Sequence, residues 1–171
     1  YKLFISGMFR SGTTLMARML DSHSSICIAS DPYAPIYKSF RNDIASQEQS
    51  VQIDPESPLH DYFFDKKQQA LFKRIQKSDF NFPLHKHRIL KIRDKVKTHC
   101  KPYSPRIINY INLLDGEKYS DLIHNGFKVV DKAYGSGIEN IIGMKEVWTN
   151  EFIPCLFKSF SNLKIIILIR D

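Results

Sequence analysis

The sequence predicts an α/β fold, an open and mainly parallel sheet with a P-loop-like phosphate site and a helical insertion over 46–120. Three observations carry that expectation. The run Leu3-Phe4-Ile5-Ser6-Gly7-Met8-Phe9-Arg10-Ser11-Gly12-Thr13-Thr14 passes from an apolar strand through a glycine-bounded turn into a helix, the order in which strand, anion-binding loop and helix follow one another in βα units. A second apolar run, Ile165-Ile166-Ile167-Leu168-Ile169, lies at the other end. Between them the apolar residues recur mostly at helical spacing, with proline and glycine marking the breaks.

Taken in order, 2–6 reads as a buried parallel strand, and 13–20 as a helix with Leu15, Met16, Met19 and Leu20 on one face. Ile26-Cys27-Ile28 reads as a second strand ending at Ala29-Ser30-Asp31, after which Pro32 opens a helix through Tyr37 and Phe40. Between 46 and 58 the composition turns polar and proline-bearing, the start of an insertion placed to line a substrate cleft. Residues 62–76, 84–98, 106–114 and 119–134 have helical spacing, interrupted at Asn81-Phe82-Pro83, Pro102 and Pro105. Gly135-Ser136-Gly137 stops the last of these, 140–144 fits a short strand, and 151–160 fits a helix before the final strand. A length of 171 residues fits one domain.

Gly7 and Gly12 have the spacing of the P-loop G-x-x-x-x-G-K-[ST], but Thr13 stands in place of the lysine. Nucleotide hydrolases use that lysine on the β/γ-phosphates and the next Ser/Thr on magnesium, so the replacement argues against ATP or GTP hydrolysis. Arg10 supplies charge instead. Together with the backbone N–H groups of Ser11, Gly12, Thr13 and Thr14 it suits a phosphate or sulfate held without a metal. The threonines equally suit the start of a helix.

The segment Phe9-Arg10-Ser11-Gly12-Thr13-Thr14-Leu15 resembles the 5′-phosphosulfate loop of the sulfotransferases that use 3′-phosphoadenosine 5′-phosphosulfate (PAPS), a loop that commonly reads [PF]-[RK]-S-G-T-T-L. Arg170-Asp171 resembles the opening of the family's 3′-phosphate segment, which a serine further along completes. On that resemblance, 1–171 is expected to be a single sulfotransferase domain, C-terminally incomplete. The resemblance implies a P-loop nucleoside triphosphate hydrolase-like fold and PAPS as co-substrate with no metal. It also implies transfer of a sulfuryl group to a hydroxyl or amine of a glycan, a protein tyrosine or a small molecule. Cofactor contacts carried over with it are Phe9, Arg10, Ser11, Gly12, Thr13, Thr14, Leu15 and Arg170. Two other readings stay open: a small-molecule kinase with a degenerate P-loop, and a non-catalytic nucleotide-binding module.

The stretch from Arg10 to Asp31 most resembles the tyrosylprotein sulfotransferase branch, with Met16, Met19-Leu20-Asp21 and His23 in matching places and Asp31 where the family has a catalytic glutamate. A carboxylate just past a strand end beside the phosphate loop is placed to take the acceptor's proton. The same position, before Pro32, also suits a helix cap. Glu146 is the rival base. It belongs to Gly143-Met144-Lys145-Glu146, which follows the predicted short strand and resembles a family segment that puts a lysine near the active site. The catalytic candidates are therefore Arg10, Asp31, Lys145 and Glu146. His23 reads as structural, and His85 and His87 lack a third ligand, so no metal site is expected.

A formal net charge of +7 implies an anionic partner, and the implied co-substrate meets that description without nucleic acid. Over 86–101 lie seven basic residues (Lys86, Arg88, Lys91, Arg93, Lys95, Lys97 and Lys101) against Asp94. On a helix they make a basic face that could hold an acidic glycan or peptide acceptor, or simply be solvated. It lacks the interleaved aromatics of a base-stacking surface. Cys27, Cys100 and Cys155, odd in number and widely spaced, read as ordinary buried or half-buried thiols. No run reaches the roughly 18 apolar residues of a membrane span. The expected location is cytoplasmic if any preceding segment is short, and the Golgi lumen if one carries a membrane anchor.

Overall fold

The apolar run at 2–7 becomes the centre of a sheet because both of its faces are covered. In the computed structural model, which describes residues 1–47, 53–59 and 68–170, Phe4 and Ile5 are fully buried although they point to opposite sides. Of the helix predicted over 62–76, residues 62–67 lie outside the described residues, as does Asp171. The strands β1 (Lys2–Gly7), β2 (Ile26–Ser30), β3 (Ile141–Val147) and β4 (Leu163–Leu168) form one sheet, in the order β2-β3-β1-β4, with every pairing parallel. This is the open parallel α/β architecture that the sequence predicts.

Helix α1 (Thr13–Asp21) covers one face over Leu3, Ile5 and Ile28. The other face, with Phe4, Ala29 and Met144, packs into the main core. That core also draws on α2 (Ala34–Ser46), α3 (Gln69–Lys77), α4 (Lys86–Cys100), α5 (Tyr119–Tyr134) and α6 (Ile153–Ser159). Two 3₁₀ segments, Pro105–Leu113 and Asn150–Phe152, complete the described elements. From β1 the chain crosses through α1 to β2, and from β3 through α6 to β4, so the two crossovers leave in opposite directions. A crevice opens where such directions diverge, here outside the C-terminal ends of β1 and β3.

Three local expectations are corrected. Strand β3 runs on through Val147, so Lys145 and Glu146 sit inside a strand rather than after it. Within the strand, a Cβ on Gly143 would lie 3.0 Å from Ile28 Cγ1 and 3.3 Å from Leu3 Cβ, so the missing side chain is what lets the strands pack. Helix α1 is seated by the small residues Thr13 and Ala17, while Leu15 and Met19 are 64% and 62% exposed, which splits the predicted apolar face. The segment predicted as helix over 106–114 is a 3₁₀ turn series, Pro105–Leu113, that buries Ile107 and Ile111. All three cysteines are free and buried, as read from their spacing.

The basic run does not form one open face. Arg88 pairs with Asp43 at 2.5 Å, Arg93 with Asp115 at 3.3 Å, Lys95 with Glu56 at 2.7 Å and Lys97 with Asp94 at 3.1 Å. Neighbouring acids far apart in sequence thus neutralise much of α4. Among the described residues, no helix is long and apolar enough to cross a membrane.

Candidate active site

The turn after β1 depends on its two glycines, Gly7 for space and Gly12 for backbone conformation. A Cβ on Gly7 would lie 2.7 Å from the Leu168 carbonyl oxygen and 2.6 Å from Ser11 Oγ. Gly12, at φ 94°, is the residue before α1, where left-handed geometry favours glycine. No side chain caps that helix, its first turn holds no acid, and its first helical bond is donated by Met16 N–H to the Gly12 carbonyl. The amides of Thr13, Thr14 and Leu15 precede that bond and point out of the helix end, the arrangement that attracts an anion.

Three non-glycine residues among those described have positive φ: Arg10 at 66°, Asp31 at 46° and Trp148 at 59°. Each follows the C-terminal end of a strand, β1, β2 and β3 in turn. Backbone strain of this kind gathers where surrounding structure holds functional groups in place. All three residues line one cleft of about 1330 Å³, which also takes in Phe9, Gly12, Thr13 and Thr14 from the loop and Lys145 and Glu146 from β3.

Lys145 is the buried cation of this cleft. Its side chain is 2% exposed, and its ammonium donates to Asp31 Oδ2, while Asp31 Oδ1 accepts the Val147 amide at 3.2 Å. The Asp31 amide in turn donates to the Lys145 carbonyl at 2.6 Å. These bonds lock the end of β2 to β3 and hold the lysine beside the loop. The charge missing at Thr13 therefore reaches the cleft from the neighbouring strand.

The two candidate carboxylates have different surroundings. Asp31 does not cap the helix that follows; that part falls to Glu146. Fully buried, Glu146 accepts the Tyr33 amide through Oε1 and bonds the Ala34 amide, closing the start of α2, while its Oε2 has no partner. Burial, reinforced by the charge of Asp31, pushes this carboxyl well above the ordinary carboxylate range. For an acid whose folded pKa is raised, folding stability is full below the unfolded value of about 4.3 and is lost as pH rises toward the folded one. Glu146→Gln keeps an oxygen for the two amides and cannot ionise. Urea titrations from pH 4.5 upward are expected to show wild-type stability falling with pH and a flatter line for the variant; parallel lines would contradict the buried-acid reading.

Ser6, fully buried at the end of β1, bonds Thr149 Oγ1 and Asn150 Oδ1 at 2.9 Å each, and Thr149 Oγ1 donates to the Glu146 carbonyl at 2.9 Å. This net ties β1 to the turn after β3 beneath the cleft. At the far end of the chain, Arg170 Nη1 donates to the Arg10 carbonyl at 3.3 Å, so the two family-like segments meet. Ser11 Oγ is tucked in without a partner, and the side chains of Phe9 and Leu15 are 61% and 64% exposed. His85 and His87 stack on each other with centroids 6.0 Å apart, and among the described residues no group of three or more His, Cys, Asp or Glu side chains converges.

The opposite wall comes from α4 and the turn beyond it, with Lys95, Thr98, His99 and Tyr103. His99, Tyr103 and Trp148 were not singled out by sequence reasoning. No motif surrounds them, and long-range packing of α4, against α2 and the Pro105–Leu113 segment, brings the first two to the cleft.

The fold and the cleft define a P-loop-type α/β domain that presents uncapped helix amides, an arginine and a buried lysine to a single anion site. The chain belongs to the sulfotransferase family, whose model matches residues 2–171. Among curated proteins, none matches it significantly. Family membership makes it a transferase and supports sulfotransfer as its activity.

Proposed function

We propose that the chain moves a sulfuryl group from PAPS to a hydroxyl or amine of a glycan, a peptide or a small molecule. The observation that carries this reading is the joining of two features in one cleft. A phosphate loop lacks its lysine, and Lys145 supplies one from β3.

The residues present fit the co-substrate. The uncapped start of α1, the left-handed Gly12 and the charge of Arg10 make a cradle for a 5′-phosphosulfate, and Arg170 is bonded to the loop's Arg10 carbonyl. When bound, PAPS supplies an activated sulfuryl group and an adenosine 3′,5′-bisphosphate leaving group. Arg10 and the amides of Thr13 and Thr14 then hold the anion, and the hydroxyls of both threonines add donors. Lys145, fixed by Asp31, is the cation placed to meet charge that develops on the transferring and leaving oxygens, stabilisation that does not require a metal. Asp31 keeps the ammonium oriented, while the burial of Glu146 supports a capping role for it rather than contact with substrate. The lysine missing from the loop favours this reading over a kinase.

Arg10 is exposed, and among the described residues it bonds the rest of the fold only through its backbone and its ring contact with Phe9. Arg10→Ala is expected to leave the melting temperature unchanged and to cut turnover about 10²-fold or more, the usual effect of losing one fixed donor to developing charge. Turnover close to that of the wild type would contradict the assignment. Asp31→Asn is expected to lower turnover while the affinity for adenosine 3′,5′-bisphosphate holds.

A further inference from the structure

Within the proposed reaction, the acceptor's proton has to go somewhere, and the carboxylates of the cleft are engaged. Asp31 has one oxygen on the Lys145 ammonium and the other on the Val147 amide. Glu146 is shut in the core beneath the start of α2. Glu56 holds Lys38 and Lys95, and Asp94 holds Lys97. Among the described residues of the cleft wall, one further base remains: His99, in the last turn of α4.

His99 has the properties the role needs. Its Nε2 is shielded from solvent and lacks a hydrogen-bond partner, a rare state that a ligand hydroxyl would relieve. The exposed ring of Tyr103 flanks it at 5.8 Å between centroids, and both residues line the cleft. Burial pushes the imidazole below its ordinary range. Asp31 pulls it back upward, both through its backbone, which accepts a hydrogen bond from the ring, and through its charge. The ring is thus neutral near neutral pH, with an anion beside it to stabilise the imidazolium once formed.

We propose that His99 is the proton acceptor for the incoming nucleophile, taking the hydroxyl proton of the substrate in sulfuryl transfer. This rests on the PAPS-dependent reading above. The acceptor oxygen forms its bond to sulfur as its proton passes to a ring nitrogen of His99. The bond that breaks joins sulfur to the 5′-phosphate oxygen, which keeps the electron pair, and the imidazolium later releases its proton to solvent. The base therefore comes from the helical insertion, while the anion cradle comes from the sheet.

The charged and titratable groups that share the cleft with the ring are Arg10 on the loop, Arg18 on α1, Asp31 after β2, Lys38 on α2, Glu56 beyond α2, Lys145 and Glu146 on β3, Asp94 and Lys95 on α4, and Tyr103. Two measurements separate His99 from these. In histidine-labelled protein without ligand, the His99 ring signal, assigned by through-bond correlation to its own backbone, is expected to titrate below the ordinary value of about 6.5. Slow hydrolysis of PAPS, with water as the acceptor, is expected to rise with pH through that same midpoint. His99→Gln is expected to lose this limb and about 10²-fold in kcat, with its affinity for adenosine 3′,5′-bisphosphate retained by calorimetry. Glu146→Gln is expected to keep the limb. A His99→Gln variant that keeps the limb, or most of kcat, overturns the proposal. So does a wild-type limb lying more than about one pH unit from the ring midpoint, a comparison that stands even if the variant fails to fold. Wild-type protein that does not bind the bisphosphate overturns the sulfotransfer reading and this one with it. Bisphosphate binding beside an active His99→Gln overturns the proton-acceptor assignment alone.

Discussion

Lys145→Met is expected to lower kcat by about 10²–10³-fold, the range seen when a fixed donor to developing charge is removed. The same change is expected to destabilise the fold by about 3–5 kcal/mol, because it strands a carboxylate that is mostly out of water. The Asp31 side chain is 14% exposed, and without the ammonium its remaining partner is the Val147 amide. The two effects come apart in the double variant Lys145→Met/Asp31→Asn. Removing both charges is expected to restore much of the stability, since neither ion is left alone, but none of the turnover. Chemical denaturation and PAPS turnover on the single and double variants form the cycle that tests this. Recovery of activity together with stability would mean that Lys145 acts only as a structural ion and takes no part in transfer.

Gly7→Ala is the second large effect. The added methyl would meet the Leu168 carbonyl at 2.7 Å, Ser11 Oγ at 2.6 Å and Thr13 Cγ2 at 2.9 Å. Ser11 could rotate away, but the carbonyl belongs to the strand paired with β1, so either the β1–β4 pairing opens or the loop lifts. Crowding of this kind costs about 1–3 kcal/mol of stability. The larger consequence falls on ligand binding, because the loop amides lose their common focus. Calorimetric affinity for adenosine 3′,5′-bisphosphate is expected to drop below detection in a variant that still melts cooperatively. Unchanged affinity would show that the turn after β1 is not the cradle.

The parallel sheet and the loop were legible in the sequence because their signals are local. Strand β1, the two glycines and Thr13 sit within one short run, and backbone demands are written there residue by residue. The chemistry around the loop was less legible, since it is assembled across the chain. Lys145 was found through a resemblance, but its place inside β3 was missed because the strand was read as ending at residue 144, whereas it runs on to Val147. Asp31 and Glu146 are both acids near strand ends. Only the fold shows that one pairs with a lysine and the other closes a helix start more than a hundred residues away. The Lys86–Cys100 helix looked like an open basic face because its acids, Asp43, Glu56 and Asp115, lie in other segments. His99 was passed over within that run for the same reason: nothing in its neighbours indicates that Asp31 lies against it.

The central claim is an anion cradle for a phosphosulfate nucleotide that works without a metal. Its most direct test is calorimetric titration of the protein with adenosine 3′,5′-bisphosphate in the absence of magnesium, beside ATP with magnesium. Tight, metal-independent binding of the bisphosphate with weak binding of ATP is the predicted result, whereas a preference for ATP with magnesium would contradict the account and return the loop to a kinase.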